Sequence, residues 1–169
     1  MGHMQRVFIA LGSNINSEYN LREAVRYLST RCCLLAVSQV YETPPVGKTD
    51  QPSFLNAAVL VETDLTAAEL KTKVLQDIEH ELGRVRTADK NAARTIDLDI
   101  TLFDNMVLDL GHRHIPDPDL LKYAHIALPL ADIAPQQRHP ETGQTLLEIA
   151  QQLTASGMIF RPDINLWPE

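Results

Sequence analysis

The sequence is short of the residues that several chemistries require. Its only two cysteines, Cys32 and Cys33, are adjacent, so no second pair can complete a zinc site or a disulfide framework. They read as two small, buried or half-buried residues entering a strand in a reduced, cytoplasmic protein. Aromatic residues make up 5% of the chain and do not alternate with basic ones, which argues against a base-stacking nucleic-acid surface. Positive charge is also scarce: 15 Lys and Arg face 22 Asp and Glu, a formal net charge of -7, which disfavours broad binding to nucleic acid or anionic membrane. No apolar run approaches the ~20 residues that span a bilayer, and the start lacks the regions of a signal peptide. There is no G-x-x-x-x-G-K-[ST] loop, no histidine pair at metal-binding helical spacing and no assignable Ser-His-Asp set. Any nucleotide is therefore held by side chains and metal.

What remains is a chain of 169 residues, 44% of them hydrophobic, enough for one core. Gly2-His3-Met4 reads as a cloning remnant, so residues 1–4 are set aside and 5–169 are taken as one domain. Residues 7–11 form an apolar run stopped by Gly12-Ser13-Asn14, and Leu21, Ala24, Val25 and Leu28 then recur at helical spacing. Residues 34–41 read as a second strand, followed by Thr43-Pro44-Pro45-Val46-Gly47, whose adjacent prolines force a stiff, extended loop. Residues 54–63 are a third strand, with Phe54, Asn56, Ala58 and Leu60 on one face and Leu55, Ala57, Val59 and Val61 on the other. Thr66-Ala67-Ala68-Glu69 is a capping box, and Leu70, Val74, Ile78 and Leu82 form the stripe of a helix that Gly83 stops. With a fourth strand after it, the order β-α-β-β-α-β predicts an α/β (α+β) fold with a ferredoxin-like core. That core is a mainly antiparallel sheet with helices packed on it and a C-terminal extension. In the extension, Asn105-Met106 joins a short hairpin, 118–122 and 128–133 are short helices, and Thr145-Leu146-Leu147-Glu148 opens another capped helix.

The fourth strand carries the chemistry. In Arg94-Thr95-Ile96-Asp97-Leu98-Asp99-Ile100-Thr101-Leu102, a period of two puts Thr95, Asp97, Asp99 and Thr101 on one face and Ile96, Leu98, Ile100 and Leu102 on the other. Two carboxylates ~6.5 Å apart along a strand repel unless a cation neutralises them, and paired Mg²⁺ bridged by substrate phosphates would use this spacing. Arg84, Arg86, Lys90 and Arg94 gather just before them, a local excess suited to a small polyanion. The segment 83–94 is accordingly expected to be a mobile lid over nucleotide. Phe54 can stack on a flat acceptor while Asn56 hydrogen-bonds its edge. His112, Arg113 and His114 form a second small basic cluster; the role of His125 stays open, and His80 and His139 are expected at the surface.

Taken together these residues resemble the 6-hydroxymethyl-7,8-dihydropterin pyrophosphokinase family, over about 7–153. The likeness rests on Ala10-Leu11-Gly12-Ser13-Asn14, Tyr41-Glu42-Thr43-Pro44-Pro45-Val46-Gly47, Gln51-Pro52-Ser53-Phe54-Leu55-Asn56-Ala57, Gly83-Arg84-Val85-Arg86 and Arg94-Thr95-Ile96-Asp97-Leu98-Asp99. The resemblance implies transfer of pyrophosphate from ATP to a pterin alcohol, with release of AMP, in folate biosynthesis. It implies Asp97 and Asp99 as ligands of two Mg²⁺ ions, and Arg84 and Arg94 as arginines that assist transfer. It also implies a pterin pocket of Thr43, Pro44, Pro45, Val46, Phe54, Asn56 and His125. ATP contacts are implied from Gln76, Arg86, Arg94 and Ile100, with Glu79 another acidic residue at the site; His112, Arg113 and His114 are further candidates for ATP. The partners implied are these small molecules, with no nucleic acid or membrane, and a monomer is compatible with the sequence. The chain departs from the family pattern in three places. Asn91-Ala92-Ala93 replaces Trp-Gly-Pro, Pro116-Asp117 replaces Pro-His, and His125 stands where Phe is common. Two other classes stay open at this point: a pterin or nucleotide binder without catalysis, and another metal-dependent nucleotidyl transferase.

Overall fold

The computed structural model describes residues 3–45, 50–89 and 92–168. Gly2 of the remnant, Val46 and Gly47 of the proline loop, and Lys90 and Asn91 of the basic segment lie outside the described residues.

Strand β1 (Gln5–Ser13) buries Val7, Ile9 and Leu11 on one face and Phe8 on the other, as its apolar run demands of a strand covered on both sides. Helix α1 (Ser17–Arg31) buries Leu21, Ala24, Val25 and Leu28, the predicted stripe. The second strand is split into β2 (Cys33–Val37) and β3 (Tyr41–Thr43). Cys32 is half-buried as expected, but Cys33, at the start of β2, is exposed. Between them the Ser38 hydroxyl accepts a hydrogen bond from the Ala58 amide at 2.8 Å, a side chain standing in for a ladder carbonyl. Strand β4 (Phe54–Thr63) has the predicted bounds and faces.

Helix α2 runs through Ala67–Glu69, a π-helical stretch Leu70–Leu75, and Gln76–Glu81. Its capping box is formed: the Thr66 hydroxyl accepts from the Glu69 amide and the Glu69 carboxylate accepts from the Thr66 amide, both at 3.1 Å. The π stretch has a cause in the sequence. A stripe repeating strictly every fourth residue overshoots a 3.6-residue helix by about 40° per step, and a wider turn absorbs that drift. It also buries Leu75 beside Leu70, Val74 and Ile78, whereas Leu82 is only half-buried. Strand β5 (Asp97–Phe103) comes next.

The sheet has the order β5-β1-β4-β3-β8, where β8 is the short strand Ile159–Phe160, with β2 beside β3 along the same edge of β4, and every pairing is antiparallel. One part of the face expected for β5 needs correction. A register shift opposite Phe8 and Ile9 puts a bulge into β5, so Leu102 joins the opposite core cluster from Leu98 and Ile100. Thr101 turns its hydroxyl onto the Phe8 carbonyl at 2.9 Å. The bulge leaves Asp97 and Asp99 on a common face and rotates only the C-terminal half of the strand.

The chain after β5 differs more from expectation. Asn105-Met106 is the turn that leaves β5, and the hairpin lies beyond it, as β6 (Leu108–Asp109) paired with β7 (His114–Ile115) around Gly111. A 3₁₀ turn covers Pro118–Leu121. Helix α3 (Ala124–Ile133) begins ahead of the expected 128, with Pro129 inside it, because Ala124, Ala127, Leu130 and Ala131 all gain burial and outweigh the proline's missing donor. Helix α4 (Leu146–Gln152) has its Thr145–Glu148 capping box, and β8 (Ile159–Phe160) adds to β3. His139 is buried, not exposed: its Nδ1 accepts from the Glu141 and Thr142 amides at 3.1 and 3.3 Å.

Two cores result. α1 and α2 pack with Val7, Ile9, Leu11, Leu98 and Ile100 on one face, and α3 and α4 pack with Phe8, Ala58, Leu60 and Leu102 on the other. Each fully buried Leu or Ile contributes about 1.5–3 kcal/mol relative to exposure. The second layer covers only part of its face, and the bare remainder holds the candidate site. Among the described residues no helix is long and apolar enough to cross a membrane.

Candidate functional site

The register of the sheet lays out the site. Tyr41, Asn56, Gly12 and Asp97 are neighbours in one row across β3, β4, β1 and β5. On the open face above that row, Phe54 and Asn56 continue the line of Ala58 and Leu60 past the edge of α3. There they line a pocket with Ala10, Leu11, Gly12, Thr43, Pro44, Arg94, Asp97, Asp99, and His125 and Ile126 from the first turn of α3. The buried Asn56 donates through Nδ2 to the Thr43 hydroxyl at 2.8 Å, which fixes the amide's orientation. A Cβ on Gly12 would lie 3.5 Å from Asn56 Oδ1 and 3.9 Å from the Phe54 ring, so glycine keeps the pocket floor open between them. The Arg94 guanidinium stands 5.8 Å from the Phe54 ring centroid. This pocket suits a flat, partly polar heterocycle: an aromatic wall, an amide at its edge and little charge except at one end.

That charged end opens into a second groove, lined by Lys71, Arg84, Arg86, Arg94, His112, Arg113, Asp97 and Asp99, together with Val85, Thr87, Asp89, Ala92, Ala93 and Asp119. Pocket and groove share Arg94, Asp97 and Asp99. Arg84 reaches Asp97 Oδ1 at 3.0 Å, Arg94 reaches Asp97 Oδ2 at 3.3 Å, and Arg113 reaches Asp99 Oδ1 at 2.7 Å. Lys71, on the π turn of α2, lies 3.7 Å from the same Asp99 oxygen. Behind them the buried Glu79 accepts from Arg84 at 2.5 Å, Arg86 at 2.8 Å and the Leu98 amide at 3.0 Å, tying α2, the basic segment and β5 together. Asn14 adds a further tie: its Oδ1 accepts from the Arg94 amide at 2.8 Å and its Nδ2 donates to Gln51 at 2.8 Å.

The two aspartates are electrostatically unequal. Burial works against ionised Asp97, but Arg84 and Arg94 hold it below the usual carboxylate range. Burial and then the Asp97 charge push Asp99 up, against the pull of Arg113 and Lys71. Among the described residues no group of three His, Cys, Asp or Glu gathers as an all-protein metal cage. Two hard oxygen donors facing one groove suit Mg²⁺, which keeps waters and completes its shell with substrate phosphates.

Several residues named from the sequence are not in these cavities. Ile100 turns its side chain into the core beneath α1 and α2, because it lies opposite Asp97 and Asp99 in the strand's alternation. Gln76 lines a neighbouring groove with Glu79, His80, Arg84 and Arg86, outside the one that holds the aspartates. His114 pairs with Glu141 at 3.1 Å, while its neighbours His112 and Arg113 line the groove. Pro45 is half-buried beside the pocket without lining it, and Val46 lies outside the described residues. Lys71 was not anticipated; its signal was its place next to Leu70, at the border of the α2 stripe. Asp117, one of the departures, is buried, caps the Pro118–Leu121 turn and lies 3.6 Å from Arg113.

Among known proteins, residues 8–135 match the family described as 7,8-dihydro-6-hydroxymethylpterin-pyrophosphokinase (HPPK). The chain belongs to this family. It is 40% identical over 151 residues to the 2-amino-4-hydroxy-6-hydroxymethyldihydropteridine pyrophosphokinase of Pseudomonas aeruginosa, covering 86% of this chain and 90% of that one. It is 42% identical over 132 residues to the Bacillus subtilis protein of the same name, covering 76% of this chain and 78% of the relative. Some relatives are much longer: the chain is 33% identical to the folic acid synthesis protein FOL1 of Dictyostelium discoideum, covering 90% of this chain but only 23% of that one. Among solved structures, Plasmodium falciparum HPPK-DHPS A437G with SDX-DHP superposes with a TM-score of 0.72 at 15% identity, over 90% of this chain and 46% of the other, a likeness of fold.

Proposed function

We propose that this chain transfers the pyrophosphoryl group of ATP to the hydroxymethyl group of 6-hydroxymethyl-7,8-dihydropterin and releases AMP, a step of folate biosynthesis. One observation carries the reading: a pocket fitted to a flat heterocycle and a cationic groove fitted to a polyphosphate meet at Asp97, Asp99 and Arg94. In this reading the pterin lies against Phe54 with its edge on Asn56, bounded by Thr43, Pro44 and His125. ATP lies in the groove, under Arg86, Arg94, His112 and Arg113. The pterin hydroxyl oxygen attacks the β-phosphorus as its proton passes to solvent, and the bond from that phosphorus to the α,β-bridging oxygen breaks as AMP leaves. Arg84 and Arg94 lie on the Asp97 side of the junction and stabilise charge there. Asp97 and Asp99 would hold two Mg²⁺ ions, which when bound supply charge neutralisation between attacking and leaving oxygens. Arg84, Arg94 and Arg113 then exchange their carboxylate partners for phosphate oxygens.

The strand order supports reading the core as the ferredoxin-like βαββαβ plan, with the chain after Phe103 as its C-terminal extension and 5–169 as one domain. ATP as co-substrate and the unpaired Cys32 and Cys33 favour a cytoplasmic setting. The test is AMP formation from ATP and Mg²⁺ with and without the pterin, the product being weighed by mass spectrometry. AMP and a pterin diphosphate that appear together only when pterin is present support the reading. Release of pyrophosphate would point to a nucleotidyl transferase, and saturable binding of both ligands without AMP to a binder.

A further inference from the structure

The family match ends at residue 135, yet a later segment packs behind one wall of the pocket. Strand β3 supplies Thr43, and the chain leaves it directly into Pro44; both line the pocket. With three residues, β3 is too short to hold itself in place, and on one side only Tyr41, Glu42 and Thr43 pair with β4. Its other side is covered by β8, in the register Tyr41 to Phe160 and Glu42 to Ile159. The Arg161 amide donates to the Val40 carbonyl at 2.9 Å, and its guanidinium donates to Glu42 at 2.7 Å. The Phe160 ring packs on Tyr41 with centroids 5.7 Å apart. Gly157, in a left-handed conformation at φ 81°, passes beside Pro44: a Cβ there would be in ordinary contact, 3.6 Å from Pro44 Cγ and Cδ. Beyond this contact Ile164 and Leu166 are buried in the α1–α2 core and anchor the segment.

We infer that residues 157–161 are a built part of the acceptor site: they position the Thr43–Pro44 wall and thereby set affinity for the heterocycle, without touching it. The inference rests on the pterin reading of that pocket. It separates two roles in the tail. Ile164 and Leu166 serve the fold, whereas Gly157, Phe160 and Arg161 serve the pocket, and Phe160 is 51% exposed, more than a residue kept for core packing would be. It also predicts an asymmetry, because β8 lies at the far edge of the sheet from β5 and the phosphate groove.

The experiment uses the full chain with Phe160→Ala and Arg161→Ala combined, and measures dissociation constants for 6-hydroxymethyl-7,8-dihydropterin and for a non-hydrolysable ATP analogue with Mg²⁺ by calorimetry, with Tm as the check on folding. We expect pterin binding to weaken about tenfold, a small displacement of a positioning wall, while the ATP analogue stays within about twofold. Phe160→Tyr with Arg161→Lys keeps the ring and the charge and should restore pterin affinity. Glu42→Gln breaks the same ion pair from β3 with no change of volume, and gives the same split if the double variant folds poorly. Unchanged pterin affinity in the folded variants overturns the inference, as does equal weakening of both ligands. A native chain that binds the ATP analogue but no pterin overturns the reading of the pocket itself, and this inference with it.

Discussion

The proposed acceptor pocket and the proposed phosphate groove share three residues but are held in opposite ways. In the pocket, polar groups are satisfied by neighbours that remain in place when a ligand arrives: Asn56 on Thr43, and Thr43 within the β3–β4 ladder. In the groove, the cations are bound to the very carboxylates that a metal would claim: Arg84 and Arg94 on Asp97, Arg113 and Lys71 on Asp99. The first region is preorganised by geometry. The second is a set of ion pairs that ligand binding must exchange. Substitutions in the pocket should therefore alter affinity for one substrate, while substitutions in the groove should alter turnover and local stability together.

The largest effect is expected at the junction. Asp97→Ala should lower AMP formation by at least about a thousandfold, with Asp99→Ala close behind, since in the proposed reading each removes a carboxylate that would hold Mg²⁺ against the phosphates. Loss of Asp97 also leaves Arg84 and Arg94 without a shared partner. Circular dichroism should report an intact fold in both. Turnover near the native rate in a folded double variant would falsify their role.

Glu79 distinguishes holding from reacting. It is 3% exposed and lies behind the groove, accepting from Arg84, Arg86 and the Leu98 amide. Glu79→Ala strands buried donors, and a destabilisation of about 3 kcal/mol is expected by urea denaturation, along with slower turnover as Arg84 is released. A stable Glu79→Ala protein would mean that the ion-pair cluster contributes little to the groove's rigidity. On the pocket side, Asn56→Ala should raise KM for the pterin about tenfold or more and leave KM for ATP within about twofold. If both constants rise together, the division between pocket and groove is wrong.

The parts legible in the sequence were those governed by local periodicity. The faces of β4, the stripe of α1, both capping boxes and the shared face of Asp97 and Asp99 all come from spacing of two or of three to four. What escaped depended on partners far along the chain. The bulge in β5 is set by its pairing with Phe8 and Ile9, so Leu102 changed cores without a local signal. Pro129 invites a helix start, and only burial beside β4 carries α3 back to Ala124. The site shows the same division. Phe54, Asn56, Asp97 and Asp99 were readable as strand faces, whereas Lys71 reaches Asp99 because a π turn and the crossing of α2 over β5 bring it there. His139 read as a surface residue because its two amide donors come from the turn at 140–143, and turn propensity does not say that the turn folds back onto the imidazole.

The smallest expected effect tests how dry the pocket rim is. His125 stands on the first turn of α3 with its ring 5.3 Å from Tyr123, and burial lowers its pKa below the ordinary histidine value, against the nearby Asp119 charge. The folded state thus binds this proton less readily than the unfolded chain. Its contribution to stability is complete above the unfolded value of about 6.5 and is lost as pH falls through the lower, folded value. His125→Phe has no proton to take up and keeps the flat ring. Its Tm relative to the native chain should therefore rise as pH is lowered from about 7 to 5, with little difference at pH 8 and a pterin affinity that depends less on pH. Parallel Tm curves for the two proteins across that range would mean that His125 is hydrated in the folded state. The rim of the pocket would then resemble the charged groove more than the packed wall opposite it.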